Sequence, residues 1–117
     1  MKIPEQGYLL RVFIGEADKW HGRPLYEAIV LKARELRLAG ATVLRGPMGF
    51  GAKSHLHTAK VLRLSEDLPI VIEMVDSKEK LDLLIPFLDD MVVDGLVTLE
   101  KVHVIKYRAG SMEPPQE

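Results

Sequence analysis

Six segments whose apolar residues recur with a period of two or of about 3.6 follow one another as strand, helix, strand, strand, helix, strand, and that order most limits the folds open to this chain. The first, Tyr8 to Glu16, sets Leu10, Val12 and Ile14 on one face and Leu9, Arg11 and Phe13 on the other, so both faces carry large apolar groups. Pro24 suits the first position of a helix, where its missing N–H costs nothing. Leu25, Ala28, Ile29, Ala33 and Leu36 follow at helical spacing, and Gly40 is expected to supply a left-handed cap. Ala41 to Arg45 reads as a second strand. Leu68 to Val75, rich in Val and Ile and flanked by a proline, reads as a third, which the alternation of Thr58 to Leu64 extends backwards. Asp76 and Glu79 have the spacing of a capping box at the start of a second helix, whose stripe is Leu81, Leu84, Ile85, Leu88 and Met91. Pro86 predicts a kink in it and Gly95 its end. Leu96 to Tyr107 reads as a long last strand, with Val97, Leu99, His103 and Ile105 on one side and Thr98, Glu100, Val102 and Val104 on the other.

The order βαββαβ predicts an α+β, ferredoxin-like sandwich, with two helices on one face of a four-stranded antiparallel sheet and a long loop between the second and third strands. The second face of such a sheet is bare. Here it includes Leu9, Phe13 and about half of the apolar positions of the last two strands, which predicts a homo-oligomer that buries it. With 117 residues the chain has room for one domain, expected over residues 8–108 between a loose leader, 1–7, and a frayed tail, 109–117. The chain has no cysteine, its start has no apolar run of signal-peptide length, and no segment approaches a membrane span, so a cytoplasmic protein is expected.

The connection "RGPMGFGAKSHLHTAK" holds the residues that invite a chemical reading. A net charge of −1 argues against bulk attraction to nucleic acid. Between Glu35 and Glu66, however, there is no acidic residue, and Arg37, Arg45, Lys53, Lys60 and Arg63 make this the region an anion would prefer. Gly46, Gly49 and Gly51 suit either close backbone approach to a phosphate or simply a connection that needs positive φ. Neither a P-loop nor a dinucleotide fingerprint fits, because no Gly-Lys-Ser/Thr follows and the glycines precede a strand. His55 and His57 would point the same way in an extended segment, which begins a metal site without finishing one; Asp18, His21 and His103 lie in other segments.

"GEADKWHGR" brings Glu16, Asp18, His21 and Arg23 together, but no nucleophile with an adjacent base is visible and the anion loop of acylphosphatases, which share this topology, is absent. Catalytic residues are therefore not assigned and an enzyme is not expected. An RNA-recognition module would need stacking aromatics on its central strands, and "LPIVIEMV" has none.

"GEADKWHGRPLYEAIV", "LAGATVLRGPMGFGA", "HTAKVLRLSEDLPIVIE" and "DGLVTLEKVHVI" together resemble the PII-like family catalogued as domain of unknown function 190, over residues 8–105. The resemblance implies a ferredoxin-like homotrimer. More distantly, the chain is similar to the PII signalling proteins, in which nucleotides sit between subunits and a mobile T-loop joins the second and third strands. That similarity implies an adenine nucleotide or other small anion held by Gly49, Phe50, Gly51, Lys53, Gly95, Lys106 and Arg108. A regulatory target protein would read the loop over residues 46–58. Two departures stand out: Lys53 replaces the glutamine that helps PII proteins bind a magnesium–ATP–oxoacid complex, and Asp94-Gly95 stands where they carry a glycine-rich, basic phosphate loop. The alternative is a trimeric metal-responsive protein of the CutA-like kind, using His55 and His57, with Asp18 or His21.

Overall fold

The computed structural model describes residues 6–50, 57–58 and 67–109. Its elements are β1 (Gln6–Gly15), β2 (Lys19–Trp20), β3 (Arg23–Pro24), α1 (Leu25–Glu35), β4 (Thr42–Arg45), β5 (Met48–Gly49), β6 (His57–Thr58), β7 (Pro69–Asp76), α2 (Lys78–Met91) and β8 (Leu96–His103). Four strands form the main sheet in the order β4-β7-β1-β8, with every neighbouring pair antiparallel. This is the ferredoxin-like arrangement that the βαββαβ order predicts.

Alternation decides which face of the sheet becomes core. Leu10, Val12 and Ile14 of β1 lie opposite Met74, Ile72 and Ile70 of β7, and all six are buried. Onto them pack Leu25, Ala28, Ile29 and Ala33 of α1 and Leu81, Leu84, Leu88 and Met91 of α2. The stripes read from helical spacing are thus the buried stripes, with Leu36 and Ile85 half-buried at their margins. α2 runs through Pro86 to Met91.

The ends of the helices differ from expectation, each for a local reason. α1 stops at Glu35, well before Gly40, because Arg37 takes the left-handed conformation at φ 63°. The Arg37 N–H then donates to the Arg34 carbonyl at 3.0 Å and the Leu38 N–H to the Ala33 carbonyl at 3.0 Å, which is the bond pair of a Schellman motif. Leu38 and Ala33 are both buried and supply its apolar contact. Asp76 does not cap α2. Ser77 does, its hydroxyl accepting from the Lys80 N–H at 3.2 Å. Asp76 is instead buried at the end of β7, where its carboxylate accepts from the Ala39 N–H at 2.8 Å and the Ser77 N–H at 2.7 Å. Lys80 completes the junction by donating to the Leu36 carbonyl at 3.1 Å, so the start of α2 closes the end of α1. Gly95 does not end α2, which stops at Met91, and β8 ends at His103 rather than reaching Tyr107. The backward extension of the third strand falls largely outside the described residues, and β7 itself begins at Pro69.

Among the described residues, no element covers the other face of the sheet. Leu44, Val71, Phe13 and Leu96 make an apolar row across all four strands, with Leu44 and Leu96 about half exposed. In the next row Arg11 pairs with Glu73 at 2.9 Å and reaches diagonally to Glu100 at 2.9 Å. The hydrogen bond to Glu73, followed by the attraction of both carboxylates, holds the Arg11 guanidinium more firmly protonated than usual against the cost of desolvation. On the helix side, Val97 and Leu99 of the edge strand β8 remain exposed as well, so β8 carries apolar residues towards both faces and, among the described residues, pairs along one edge only.

Two substitutions test this account by thermal or urea unfolding. Arg37→Gly relieves the left-handed strain and is expected to stabilise the protein by about 1 kcal/mol. Asp76→Ala leaves two partly buried N–H groups without their acceptor and is expected to cost about 1 to 2 kcal/mol.

Candidate functional site

Two cavities lie at opposite ends of the sheet, and the candidate ligand residues divide between them. The first, of about 670 Å³, lies where β1 ends and β7 and β8 begin, and Gly49, Phe50 and Gly95 all line it. Phe13, Ile70 and Leu96 give it an apolar wall, and Asp18, Asp67 and Asp94 contribute carboxylates. The second, of about 720 Å³, lies beyond the other end of the strands and is lined by Leu9, Val75, His103, Lys106 and Tyr107. Seven residue steps along β8 separate Leu96 from His103, about 23 Å at the usual rise of a strand, and Lys106 lines the cavity at the His103 end. One chain therefore brings together Gly49, Phe50 and Gly95 but not Lys106. Arg108 is exposed and lines neither cavity. Gly51, Lys53 and His55 lie outside the described residues, and His57 is placed by its backbone in β6, paired with Gly49.

The glycines at the first cavity serve close packing. A Cβ on Gly49 would stand 2.9 Å from Cγ of Pro69, and one on Gly46 would meet the same atom at 2.9 Å. The pyrrolidine ring of Pro69 is thus seated on two glycines, and the Gly46 N–H donates to the Pro69 carbonyl at 2.8 Å. Neither glycine has positive φ, so contact rather than backbone freedom calls for them here. Gly95 is tighter still. A Cβ there would lie 2.6 Å from the Phe13 carbonyl oxygen and 2.9 Å from Cγ1 of Val92, which explains a glycine at the entry to β8.

The polar cluster after β1 also has structural work. Asp18 accepts from the Gly15 N–H at 3.0 Å and closes the turn, while Glu16 pairs with Arg45. Lys19 to Pro24 forms a two-residue hairpin whose centre, His21 at φ 49° and Gly22 at φ 82°, is left-handed throughout, as tight hairpin turns require. The rings of Trp20 and His21 stack at 4.3 Å, and Arg23 approaches Glu27 at 4.0 Å. Among the described residues no group of three or more His, Cys, Asp or Glu side chains has the arrangement to hold a metal ion. Within the same residues no helix is long and apolar enough to cross a membrane. Pro69 and Asp67 had not been expected at the site. A proline seated against two glycines is a contact between segments some twenty residues apart, and no periodicity reports it.

A four-stranded antiparallel sheet with two helices on one face, a cavity at each end and a connection rooted beside one of them defines an α+β protein of ferredoxin-like fold. The DUF190 family model, described as Uncharacterized ACR, matches residues 7–104, and the chain belongs to that family. A UPF0166 protein of Aquifex aeolicus is 37% identical over 99 residues, covering 83% of this chain and 91% of the relative. Among solved structures, CPII from Thiomonas intermedia K12, a nitrogen regulatory PII-like protein bound to ADP, AMP and bicarbonate, superposes with a TM-score of 0.63 at 17% identity, covering 86% of this chain and 90% of that one. CPII bound to ADP and bicarbonate gives a TM-score of 0.61 at 16% identity, with the same coverage. At these identities the likeness is one of fold.

Gly95→Ala tests the packing at the first cavity. Its new methyl meets backbone, which does not yield as a side chain does, so a loss of about 2 kcal/mol is expected in urea unfolding. For Gly49→Ala the nearest atoms belong to the Pro69 ring, a side chain that can shift, and the substitution is expected to cost less.

Proposed function

We propose that this chain is a non-enzymatic, cytoplasmic regulatory protein of the PII type, which assembles as a homotrimer and binds an adenine nucleotide in the clefts between subunits. The separation of the candidate residues carries this reading. The cavity beside Gly49, Phe50 and Gly95 offers an apolar wall and carboxylates, which suit a base and sugar and repel a phosphate. Lys106 lines the cavity at the opposite end of the sheet, and Arg108 follows it by two residues. A nucleotide therefore finds both halves of its site only where the cavity of one subunit meets the C-terminal segment of another. The apolar row Leu44, Val71, Phe13 and Leu96, exposed at its two ends and half-buried at its centre, and the edge of β8 that no described strand pairs with would supply the surface such an assembly buries. Lys53 and Gly51 would add contacts from the connection.

CPII, with the same fold, was solved with ADP, AMP and bicarbonate, so the ligands to try first are adenine nucleotides with and without bicarbonate. Signalling follows if the bound state favours one arrangement of residues 46–58 and a partner protein has different affinities for the two arrangements.

Isothermal titration with AMP, ADP, ATP and bicarbonate, set beside Zn²⁺ and Cu²⁺, tests the ligand. ADP binding is expected, and the Lys106→Ala/Arg108→Ala variant should weaken it by about ten- to a hundredfold while the trimer mass stays unchanged by light scattering. Tight metal binding that needs His55 and His57, with no nucleotide heat, would favour the metal-responsive reading. A monomer at micromolar concentration would contradict the assembly.

A further inference from the structure

Both feet of the connection between β4 and β7 are fastened to one three-residue turn. On the outgoing side, Arg45, the last residue of β4, forms its ion pair with Glu16. On the returning side, the Glu16 N–H donates to the Leu68 carbonyl at 2.8 Å and the Ala17 N–H donates to Oδ1 of Asp67 at 2.8 Å. Glu16 thus holds one foot by its side chain and the other by its backbone. The turn is closed from within by Asp18, whose carboxylate accepts from the Gly15 N–H. Asp18 and Asp67 are also two of the carboxylates that line the first cavity, and Gly15 lines it with them.

We infer that the Glu16–Ala17–Asp18 turn is the element through which this cavity and the roots of the connection act on one another, with Glu16 a positioning residue that works on Arg45 and not on a ligand. The nucleotide reading supplies only the occupant of the cavity; the clamp is a property of the free chain. A donor that enters the cavity competes with the Gly15 and Ala17 N–H groups for the carboxylates of Asp18 and Asp67. Any shift in those two bonds moves the turn, and the turn carries Arg45 and Leu68 with it. The pair is suited to bias rather than to lock. The Arg45 side chain is 56% exposed and that of Glu16 26%, and an ion pair of this kind changes a population by a small factor, leaving both arrangements accessible to a modest ligand.

Amide hydrogen exchange by NMR on the full-length chain tests the clamp. Glu16→Gln is expected to speed exchange at Gly46 and Ala17 about two- to fivefold while Leu10 and Ile72 in the central strands exchange as before. The reversed pair, Glu16→Arg/Arg45→Glu, should bring Gly46 back towards the wild-type rate, which a general loosening would not do. Saturating ADP should slow Gly46 in the wild type and slow it less in Glu16→Gln. Unchanged rates at Gly46 and Ala17 in Glu16→Gln would overturn the inference, as would acceleration spread evenly through the core or an ADP effect of full size without the clamp. If ADP leaves the wild type untouched, the nucleotide reading fails, and the exchange rates of the free chain still decide the clamp.

Discussion

The pairing of β1 with β7 is the contact from which the rest of the structure follows. With Leu10 opposite Met74, Val12 opposite Ile72 and Ile14 opposite Ile70, both central strands point one apolar set the same way, and the two helices have a single surface to cover. A slip of one residue would exchange these for Leu9, Arg11 and Phe13 and bring a guanidinium beneath the helices. The same register places Arg11 opposite Glu73 on the uncovered face, where its charge is answered within the sheet. Register thereby sets the core, the open face and the position of the cavities at the strand ends.

The two helices are joined at the far end of this sheet by polar contacts with little exposure. Asp76, Ser77 and Lys80 together satisfy the Ala39 N–H, the first turn of α2 and the Leu36 carbonyl at the end of α1. A buried carboxylate surrounded by N–H donors at a helix start is favourably placed, because its charge meets the positive end of the helix dipole. The opposite end is arranged differently. There Pro69 rests on Gly46 and Gly49, and Gly95 lets β8 enter beside the Phe13 carbonyl, so the cavity is shaped by the absence of side chains as much as by their presence. Its walls and the feet of the 46–66 connection share residues, which is the geometric requirement for a ligand to be felt along the chain.

Much of this was legible in the sequence, and particular residues show why. Leu81, Leu84, Leu88 and Met91 lie on one face of any helix, and a stripe of that kind is buried wherever a partner surface exists. The helix ends were less legible. A left-handed cap is expected of glycine, yet Arg37 adopts it because burial of Leu38 against Ala33 outweighs a strain of about 1 kcal/mol, so the choice among Arg37, Gly40 and their neighbours is made by packing. Asp76 and Glu79 match a capping box by spacing, but Ser77 sits one residue on with its hydroxyl free to cap, and the Asp76 carboxylate is drawn to an N–H from a distant segment. In the candidate site, Gly49, Phe50 and Gly95 share a cavity because the strand ends that carry them are neighbours in the sheet, whereas Lys106 follows the far end of β8.

Sequence alone determined the element order, the buried faces and, through the motifs spread over residues 8–105, a resemblance to the family to which the chain belongs. These are local or pairwise properties, set by the period at which side chains recur and by residue types at short spacing. Tertiary structure decided which glycines serve contact rather than rotation, which carboxylates are spent on backbone N–H groups, and that the candidate ligand residues divide between two ends of one sheet. Such features depend on distances between segments remote in the chain, and a distance of that kind exists only once the strands have paired.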